Sequence, residues 1–164
     1  LFKLSTRILM IKVNVIVNDK TWFKYIKNPQ IYIKKKIKKI QNDKFFIKKT
    51  NYIFNILLSG HNDIKKLNKK FRNKDKSTDI LSFPFQDKGQ LKKLKKKSDI
   101  IFLGDIIINI KKLDSSSIKR FQNHLNILWI HGFLHLFGFD HRKNINFKKM
   151  HKMEKNFLKR INIR

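Results

Sequence analysis

The chain has 164 residues, enough for one domain with a substantial core, and its 41% apolar content excludes a wholly disordered protein. It contains no cysteine, which excludes disulfide scaffolds, cysteine zinc fingers, iron–sulfur clusters and thiol nucleophiles. Its 40 basic and 11 acidic residues give a formal charge of +29. Alanine is absent and residues with AT-rich codons, lysine among them, dominate, so a nucleotide bias alone can produce this charge. The charge therefore fits a nucleic-acid partner and a merely solvated lysine surface equally well.

The first half of the chain predicts a strand, a helix, a strand and a helix, in that order. Residues 10–17 alternate as in a half-buried strand, and Asn28-Pro29 then begins a helix with asparagine as its N-cap. Asn51–Leu58 predicts the next strand, and the second helix is expected to begin at Ser59 or Asn62. The two helices should bury the apolar residues at helical spacing, namely Ile33, Ile37 and Ile40 in the first and Ile64, Leu67 and Phe71 in the second.

The second half predicts two further strands and two further helices. A polar loop at 72–78 is followed by a strand at Thr78–Phe85, which Pro84 either ends or places at a sheet edge, and by a lysine-rich surface loop at 86–98. The next strand is Ser98–Ile110, in which Gly104 indicates a bulge or a close approach of the backbone. A helix capped within Ser115–Ser117 and ended by Gly138 comes next, and a last helix is capped by Asn144 or Asn146.

No repeat, domain linker or membrane-spanning stretch interrupts this order, so we predict one domain over residues 1–164. Met10 can serve as the true start, which would make residues 1–9 an upstream extension.

Three of the six histidines lie close together in the segment His131-Gly-Phe-Leu-His135-Leu-Phe-Gly138-Phe-Asp140-His141. His131 and His135 are one helical turn apart, so both imidazoles can face one ion. Gly138 permits the left-handed residue that ends a helix, and a turn there can return His141 as a third ligand. Three protein nitrogens with an open position are typical of catalytic zinc, although a histidine pair on a helix can also be purely structural. We assign the other histidines structural roles, namely His61, His124 and His151.

The histidine spacing also matches that of the metzincin proteases, with one difference. Those proteases carry a glutamate, their general base, directly after the first histidine. That position here is Gly132, so peptide hydrolysis by their mechanism is disfavoured.

Three blocks of the sequence resemble the YbeY endoribonuclease family. The segment from His131 to His141 looks like the family's signature, which ends in Asp-His. The segment Leu67-Asn-Lys-Lys-Phe-Arg72-Asn-Lys-Asp-Lys-Ser-Thr-Asp-Ile-Leu-Ser-Phe-Pro84 resembles its central block, and Leu103-Gly-Asp-Ile106 resembles its next strand. The blocks occur in the family's order and span about 75 residues.

The resemblance implies an α+β fold, a small mixed β-sheet packed with helices and zincin-like around the metal. It implies a metal-dependent, single-strand-specific endoribonuclease that acts in maturation of the 3′ end of small-subunit (16S) ribosomal RNA and in late ribosome quality control. The implied partners are single-stranded RNA, small-subunit rRNA and the small ribosomal subunit, and the implied location is the cytoplasm. It also implies one zinc ion per chain on His131, His135 and His141, and a catalytic role for Arg72.

The chemistry of the residues is compatible with these roles. The Arg72 guanidinium can bind phosphate with a bidentate fork, although a surface ion pair with Asp75 or Asp79 is the alternative. Asp105 and Asp140 are candidates to orient the ligand imidazoles, although Asp140 can also serve only to cap the turn.

Glu154, the sole glutamate, is interpreted as part of a salt bridge on the last helix. Three lysine runs would attract an RNA backbone, namely Lys34–Lys39, Lys65–Lys70 and Lys92–Lys97. Two other functions stay open, a non-enzymatic metal-stabilised RNA- or ribosome-binding assembly factor and, less favoured, a metalloprotease. Nickel stays open beside zinc, because imidazole binds both.

Overall fold

The computed structural model describes residues 10–46, 50–97, 100–140 and 144–162. The strands are β1 (Ile11–Val17), β2 (Asn51–Ser59), β3 (Ile80–Pro84) and β4 (Ile100–Asn109), and the helices are α1 (Pro29–Ile40), α2 (His61–Arg72), α3 (Lys88–Lys97), α4 (Ile118–Leu136) and α5 (Asn144–Asn162). Short 3₁₀ helices lie at Lys20–Lys24 and Ile110–Lys112. None of the helices in the described ranges is long and apolar enough to cross a membrane. The upstream extension predicted for residues 1–9 lies outside the described residues.

The four strands form one mixed sheet in the order β1-β2-β4-β3. β2 pairs in parallel with β1 and with β4, whereas β3 pairs antiparallel with β4 at the edge of the sheet. The α+β class predicted from the sequence is confirmed, as is the edge position of the strand that ends at Pro84.

Helices cover both faces of this sheet. On one face, α1 packs against β1 and α4 packs against β3 and β4, while α5 packs against both α1 and α4. Successive residues of a strand face opposite sides of the sheet. Ile106 of β4 packs in the main core, whereas the next residue, Ile107, packs in a second cluster with Ile64 of α2. The helix α4 that carries the histidines therefore lies on the opposite face of the sheet from α2.

Local capping signals explain where the helices on the α4 face begin and end. The Asn28 side chain accepts a hydrogen bond from the N–H of Ile31 at 3.0 Å, as predicted for the start of α1. The Ser117 hydroxyl accepts from the N–H of Arg120 at 3.2 Å at the start of α4. Gly138 has a φ of +82° just after the end of α4, which confirms its predicted role.

The segment 86–98 was predicted as a surface loop, and this prediction is wrong, because α3 begins at Lys88. The helix begins with a reciprocal cap, in which Asp87 accepts from the N–H of Gln90 at 2.8 Å and Gln90 accepts from the N–H of Asp87 at 3.1 Å. Leu91 is buried and Leu94 packs against the main core, which fixes the helix to the rest of the molecule.

Helix α2 also differs from its prediction in detail. Its N-cap is Gly60, which has no side chain, rather than Ser59 or Asn62. Ile64 is buried as expected, but Phe71 is 57% exposed, and Asn68 is the second buried residue of the helix.

Gly104 allows β3 and β4 to approach very closely. Its φ is +130°, and the register of β2 against β4 shifts beside it, which confirms the predicted bulge. A Cβ at this position would lie 2.1 Å from the carbonyl oxygen of Phe83 and 2.9 Å from the nitrogen of Phe85.

Candidate functional site

Two histidines of α4 face each other one turn apart. The Nε2 atoms of His131 and His135 are 3.0 Å apart, and both side chains are partly buried. The Nδ1 atom of His135 is 2.8 Å from the carbonyl oxygen of Phe139, just beyond the end of the helix. The left-handed Gly138 precedes Phe139, so the turn that ends α4 also supplies the acceptor for one histidine.

The other histidine is held by a carboxylate from α5. Glu154 Oε1 lies 2.7 Å from Nδ1 of His131, and Glu154 Oε2 lies 3.5 Å from Nδ1 of His151. The hydrogen bond with His131 lowers the pKa of the Glu154 carboxyl below its ordinary value, against the opposing effect of burial. The predicted helical salt bridge accounts for only the weaker of these contacts, and the contact between α4 and α5 was missed.

Arg72 is the last residue of α2, beside an anchored turn. Asn73 follows it in the left-handed conformation and donates to carbonyls of the preceding turn, which ends the helix. The buried Asn68 side chain donates to the carbonyl of Lys76 at 2.7 Å and so ties the loop to the helix. The exposed guanidinium of Arg72 reaches β3, where Nη2 donates to the carbonyl of Ser82 at 3.4 Å.

Neither predicted carboxylate partner pairs with Arg72 in the described part of the chain. Asp75 forms ion pairs with two lysines of α2, at 3.6 and 3.7 Å. The Asp79 carboxylate accepts from the Thr78 hydroxyl and from the N–H of Ile80. The guanidinium of Arg72 is therefore available to an anionic ligand.

One solvent-open cleft of about 910 Å³ brings the histidines and Arg72 together. Residues from β3 line it between α4 and the end of α2, namely Ile80, Ser82 and Pro84. Five charged side chains also line it, namely Arg72, Lys74, Lys88, Asp87 and Asp140. Three cations and two carboxylates, with the histidine pair, suit an extended anionic ligand.

Gly132 lets α4 lie close to the sheet. A Cβ there would be 2.9 Å from Cδ1 of Ile80, 2.9 Å from Oγ of Ser82 and 3.0 Å from Cγ2 of Ile106. A side chain at position 132 would thus collide with Ile80, Ser82 and Ile106 of the sheet, so a glutamate would not fit there without a shift. This adds a geometric reason to the chemical one against a metzincin-like base.

The remaining predicted site residues fall in different places. Asp140 lines the cleft with the two histidines. Asp105 lies on the other face of the sheet, where its carboxylate accepts from the side chain of Asn55 at 2.8 Å. His141 lies outside the described residues.

The donor atoms of the histidine pair suit a zinc ion. The carbonyl of Phe139 and the carboxylate of Glu154 can each accept from a protonated Nδ1, and a neutral ring with its proton there would offer the Nε2 lone pair to a metal ion. The two Nε2 atoms face each other across 3.0 Å. Two nitrogens bound tetrahedrally to one zinc at ~2.0–2.1 Å stand about 3.3 Å apart, which is close to this spacing. In the ranges described, no three His, Cys, Asp or Glu side chains surround one point, and His141 would have to supply the third ligand.

Comparison with known proteins points to one family. A family model described as "Endoribonuclease YbeY" matches residues 17–162. A Pelagibacter ubique protein named Endoribonuclease YbeY is 42% identical over 153 residues, which cover 88% of this chain and 92% of the relative. An Ehrlichia ruminantium protein of the same name is 33% identical over 159 residues, covering 94% of this chain and 93% of the relative.

A solved structure shares the fold. The solution structure of TM1509 from Thermotoga maritima superposes with a TM-score of 0.54 at 24% identity, over 93% of this chain and 89% of that chain. This likeness concerns the arrangement of helices and strands alone.

Proposed function

The chain belongs to the YbeY endoribonuclease family, and from that premise we propose that it is a zinc-dependent enzyme that cleaves single-stranded RNA in this cleft. Family membership makes RNA the substrate class and phosphodiester hydrolysis the reaction class. The observation that carries the proposal is the convergence of His131 and His135 with Arg72 around one cleft.

His131 and His135 would hold the zinc ion through Nε2, and His141 is the proposed third ligand. Bound zinc supplies Lewis acidity at a phosphoryl oxygen and lowers the pKa of water toward neutrality. The protein's own contribution begins with the rings, whose Nδ1 atoms contact the Glu154 carboxylate and the Phe139 carbonyl, so that each Nε2 is left to bind the metal.

Arg72 would bind the scissile phosphate from the opposite wall of the cleft. Its guanidinium can offer two parallel N–H donors to two phosphate oxygens and thereby neutralise charge that develops in the transition state. Lys74 and Lys88 would attract neighbouring phosphates of the strand in a salt-dependent way.

The test uses the purified, metal-loaded full chain with end-labelled single-stranded RNA. We expect cleavage that a chelator abolishes and zinc restores, and that is lost in His135→Ala. The control is His61→Ala, because His61 lies at the start of α2, away from the cleft. Chelator-resistant cleavage, or cleavage that persists in His135→Ala, would identify a contaminating nuclease or a metal-free mechanism. Reconstitution with nickel in parallel decides between the two metals.

A second variant pair tests Arg72. We expect Arg72→Ala to lower kcat by roughly 10²-fold, the usual effect of removing one donor to a developing oxyanion. Arg72→Lys should recover only part of this loss, because an ammonium cannot form the bidentate contact. Arg120→Ala is the matched control, since Arg120 is an exposed arginine that pairs with Asp114 at 3.7 Å. Equal activity of the Arg72→Ala and Arg120→Ala variants would exclude Arg72 from the reaction.

We also propose that the biological substrate is the 3′ end of small-subunit (16S) ribosomal RNA on the small ribosomal subunit, in the cytoplasm, during maturation and late quality control. Purified subunits that carry precursor rRNA would be incubated with wild type and His135→Ala. Cleavage at the 3′ end by wild type alone supports the assignment. Cleavage of free oligonucleotides without any cleavage of the precursor would refute it.

The alternative proposal is a metal-stabilised assembly factor that binds RNA without cutting it. The contacts of His131 with Glu154 of α5 and of His135 with the turn after α4 favour it, because a metal bound there would also stabilise the packing of these elements. Zinc-bound, folded protein that binds RNA and the small subunit without cleaving either would support this alternative.

A further inference from the structure

We propose that Glu154 is a positioning residue, which orients His131 so that its Nε2 atom faces Nε2 of His135 as a metal donor. The inference rests on the proposed function, because it assigns a role toward the proposed zinc ion. It adds a role to the predicted salt bridge of Glu154 on the last helix, which is its contact with His151.

The partners of Glu154 are unusual for a lone glutamate in a chain with 40 basic residues. Both side-chain contacts that the described residues give its carboxylate are with histidine nitrogens, although lysines flank it on α5. The shorter contact, 2.7 Å, joins α5 to α4 across 23 residues of sequence. The Glu154 side chain is only 20% exposed, so water competes weakly for its oxygens.

The two histidines are held in the same way by different acceptors. The Nδ1 atom of His135 faces a backbone carbonyl, that of Phe139, which no substitution removes. The Nδ1 atom of His131 faces a side-chain carboxylate instead. A metal-ligating histidine commonly gives its second N–H to such a carboxylate or carbonyl, which fixes its tautomer and the angle of its ring. Glu154 therefore supplies for His131 what the main chain supplies for His135.

The helix that carries Glu154 is firmly attached on the side that faces the core. Met150, Phe157 and Ile161 of α5 are all buried. Near the C-terminal end of α5, Arg160 forms a 2.9 Å ion pair with the buried Asp43. The Glu154 carboxylate is thus held on a fixed support, as accurate orientation of a ligand requires.

The first test measures the ring tautomer of His131 in the metal-free full chain. Long-range ¹H–¹⁵N NMR distinguishes Nδ1–H from Nε2–H. We expect Nδ1–H for His131 in wild type and a mixture or reversal in Glu154→Leu, which removes the acceptor. Glu154→Gln should lie between them, because its amide oxygen can still accept. An unchanged Nδ1–H signal in Glu154→Leu overturns the proposal.

The second test measures zinc affinity by competition with a chromophoric chelator. We expect roughly 10–100-fold weaker binding in Glu154→Leu and a smaller loss in Glu154→Gln. Arg160→Gln is the matched control, since it removes an ion pair of the same helix that does not touch a histidine. Equal loss of affinity in Arg160→Gln and Glu154→Leu would reduce Glu154 to a docking contact of α5 and overturn the proposal.

These readouts separate the proposal from the proposed function. A wild-type protein that binds zinc but cleaves no RNA refutes the nuclease assignment, whereas the tautomer and the zinc affinity still decide the role of Glu154. A wild-type protein that binds no zinc overturns the positioning role.

Discussion

Replacing Gly104 by alanine should detach the end of β3 from β4. Alanine would have to adopt a φ of +130°, a region that L residues rarely occupy. Its Cβ would also lie 2.1 Å from the carbonyl oxygen of Phe83, where ordinary contact needs more than 3 Å. The backbone of β3 would have to move by about 1 Å or more to relieve this overlap.

The energetic cost has two parts. The strained backbone costs about 1–3 kcal/mol. Displacement of β3 also breaks the 2.9 Å hydrogen bond from the N–H of Phe85 to the carbonyl of Leu103, which is worth about 1 kcal/mol. Together these predict a loss of about 2–4 kcal/mol of unfolding free energy. For a chain of this size that corresponds to a fall in Tm of roughly 4–16 °C.

Urea denaturation followed by circular dichroism measures the loss, with the m-value as a check that the unfolded state is unchanged. Gly89→Ala is the control, because a Cβ at Gly89 of α3 lies 3.3 Å from only one atom, Oδ1 of Asp87. That oxygen also accepts the capping hydrogen bond of α3, which offsets the usual helical gain of about 0.5–1 kcal/mol for alanine over glycine, so the variant should stay within about 1 kcal/mol of wild type. A Gly104→Ala variant within 0.5 kcal/mol of wild type at unchanged m would refute the steric argument.

Two further predictions concern the supports of the site. Asn68→Ala removes the 2.7 Å hydrogen bond to the carbonyl of Lys76 and should lower the free energy of unfolding by about 1–3 kcal/mol. RNA cleavage should also fall, because the turn beside Arg72 loosens. Full activity at reduced stability would show that this turn does not position Arg72. Ser117→Ala removes the N-cap of α4 and should cost about 0.5–2 kcal/mol in thermal denaturation without changing kcat, since Ser117 is at the opposite end of α4 from the histidines. A fall in kcat for Ser117→Ala beyond the loss of folded protein would contradict that expectation.

The parts of the fold that the sequence predicted depend on local signals. Asn28-Pro29 and Ser117 cap their helices through hydrogen bonds that span three residues, and Gly138 ends α4 through its own backbone. His131 and His135 face each other because the helix places them one turn apart. None of these features needs a distant part of the chain.

The wrong prediction for α3 had a local signal as well. Asp87-Lys-Gly-Gln90 has the spacing of a reciprocal cap, with Leu91 and Leu94 on one face behind it. The surrounding lysine run favoured a solvated loop, and the cap was overlooked. The helical spacing of Phe71 predicted a buried side chain, but Phe71 is exposed. Spacing places a residue on one face of α2 without showing how far the sheet beneath that face extends.

Glu154 illustrates what spacing alone does not show. It lies 23 residues after His131, and the contact depends on how α5 packs on α4. The assignment of Asp105 to the histidines depended in the same way on which face of β4 it occupies. Both questions are decided by packing between elements rather than by the residues around each carboxylate.

The edge position of β3 bears on how the protein would associate with other chains. β3 pairs with β4 on one side and has no neighbouring strand on the other in the described sheet. An unpaired strand edge normally invites another chain to add to it, which is a common route to aggregation. Here that edge borders the cleft between α4 and the end of α2, and Pro84 lacks the N–H that an added strand would use. The opening proposed to bind an RNA strand is thus also the place where a foreign β-strand would have to enter.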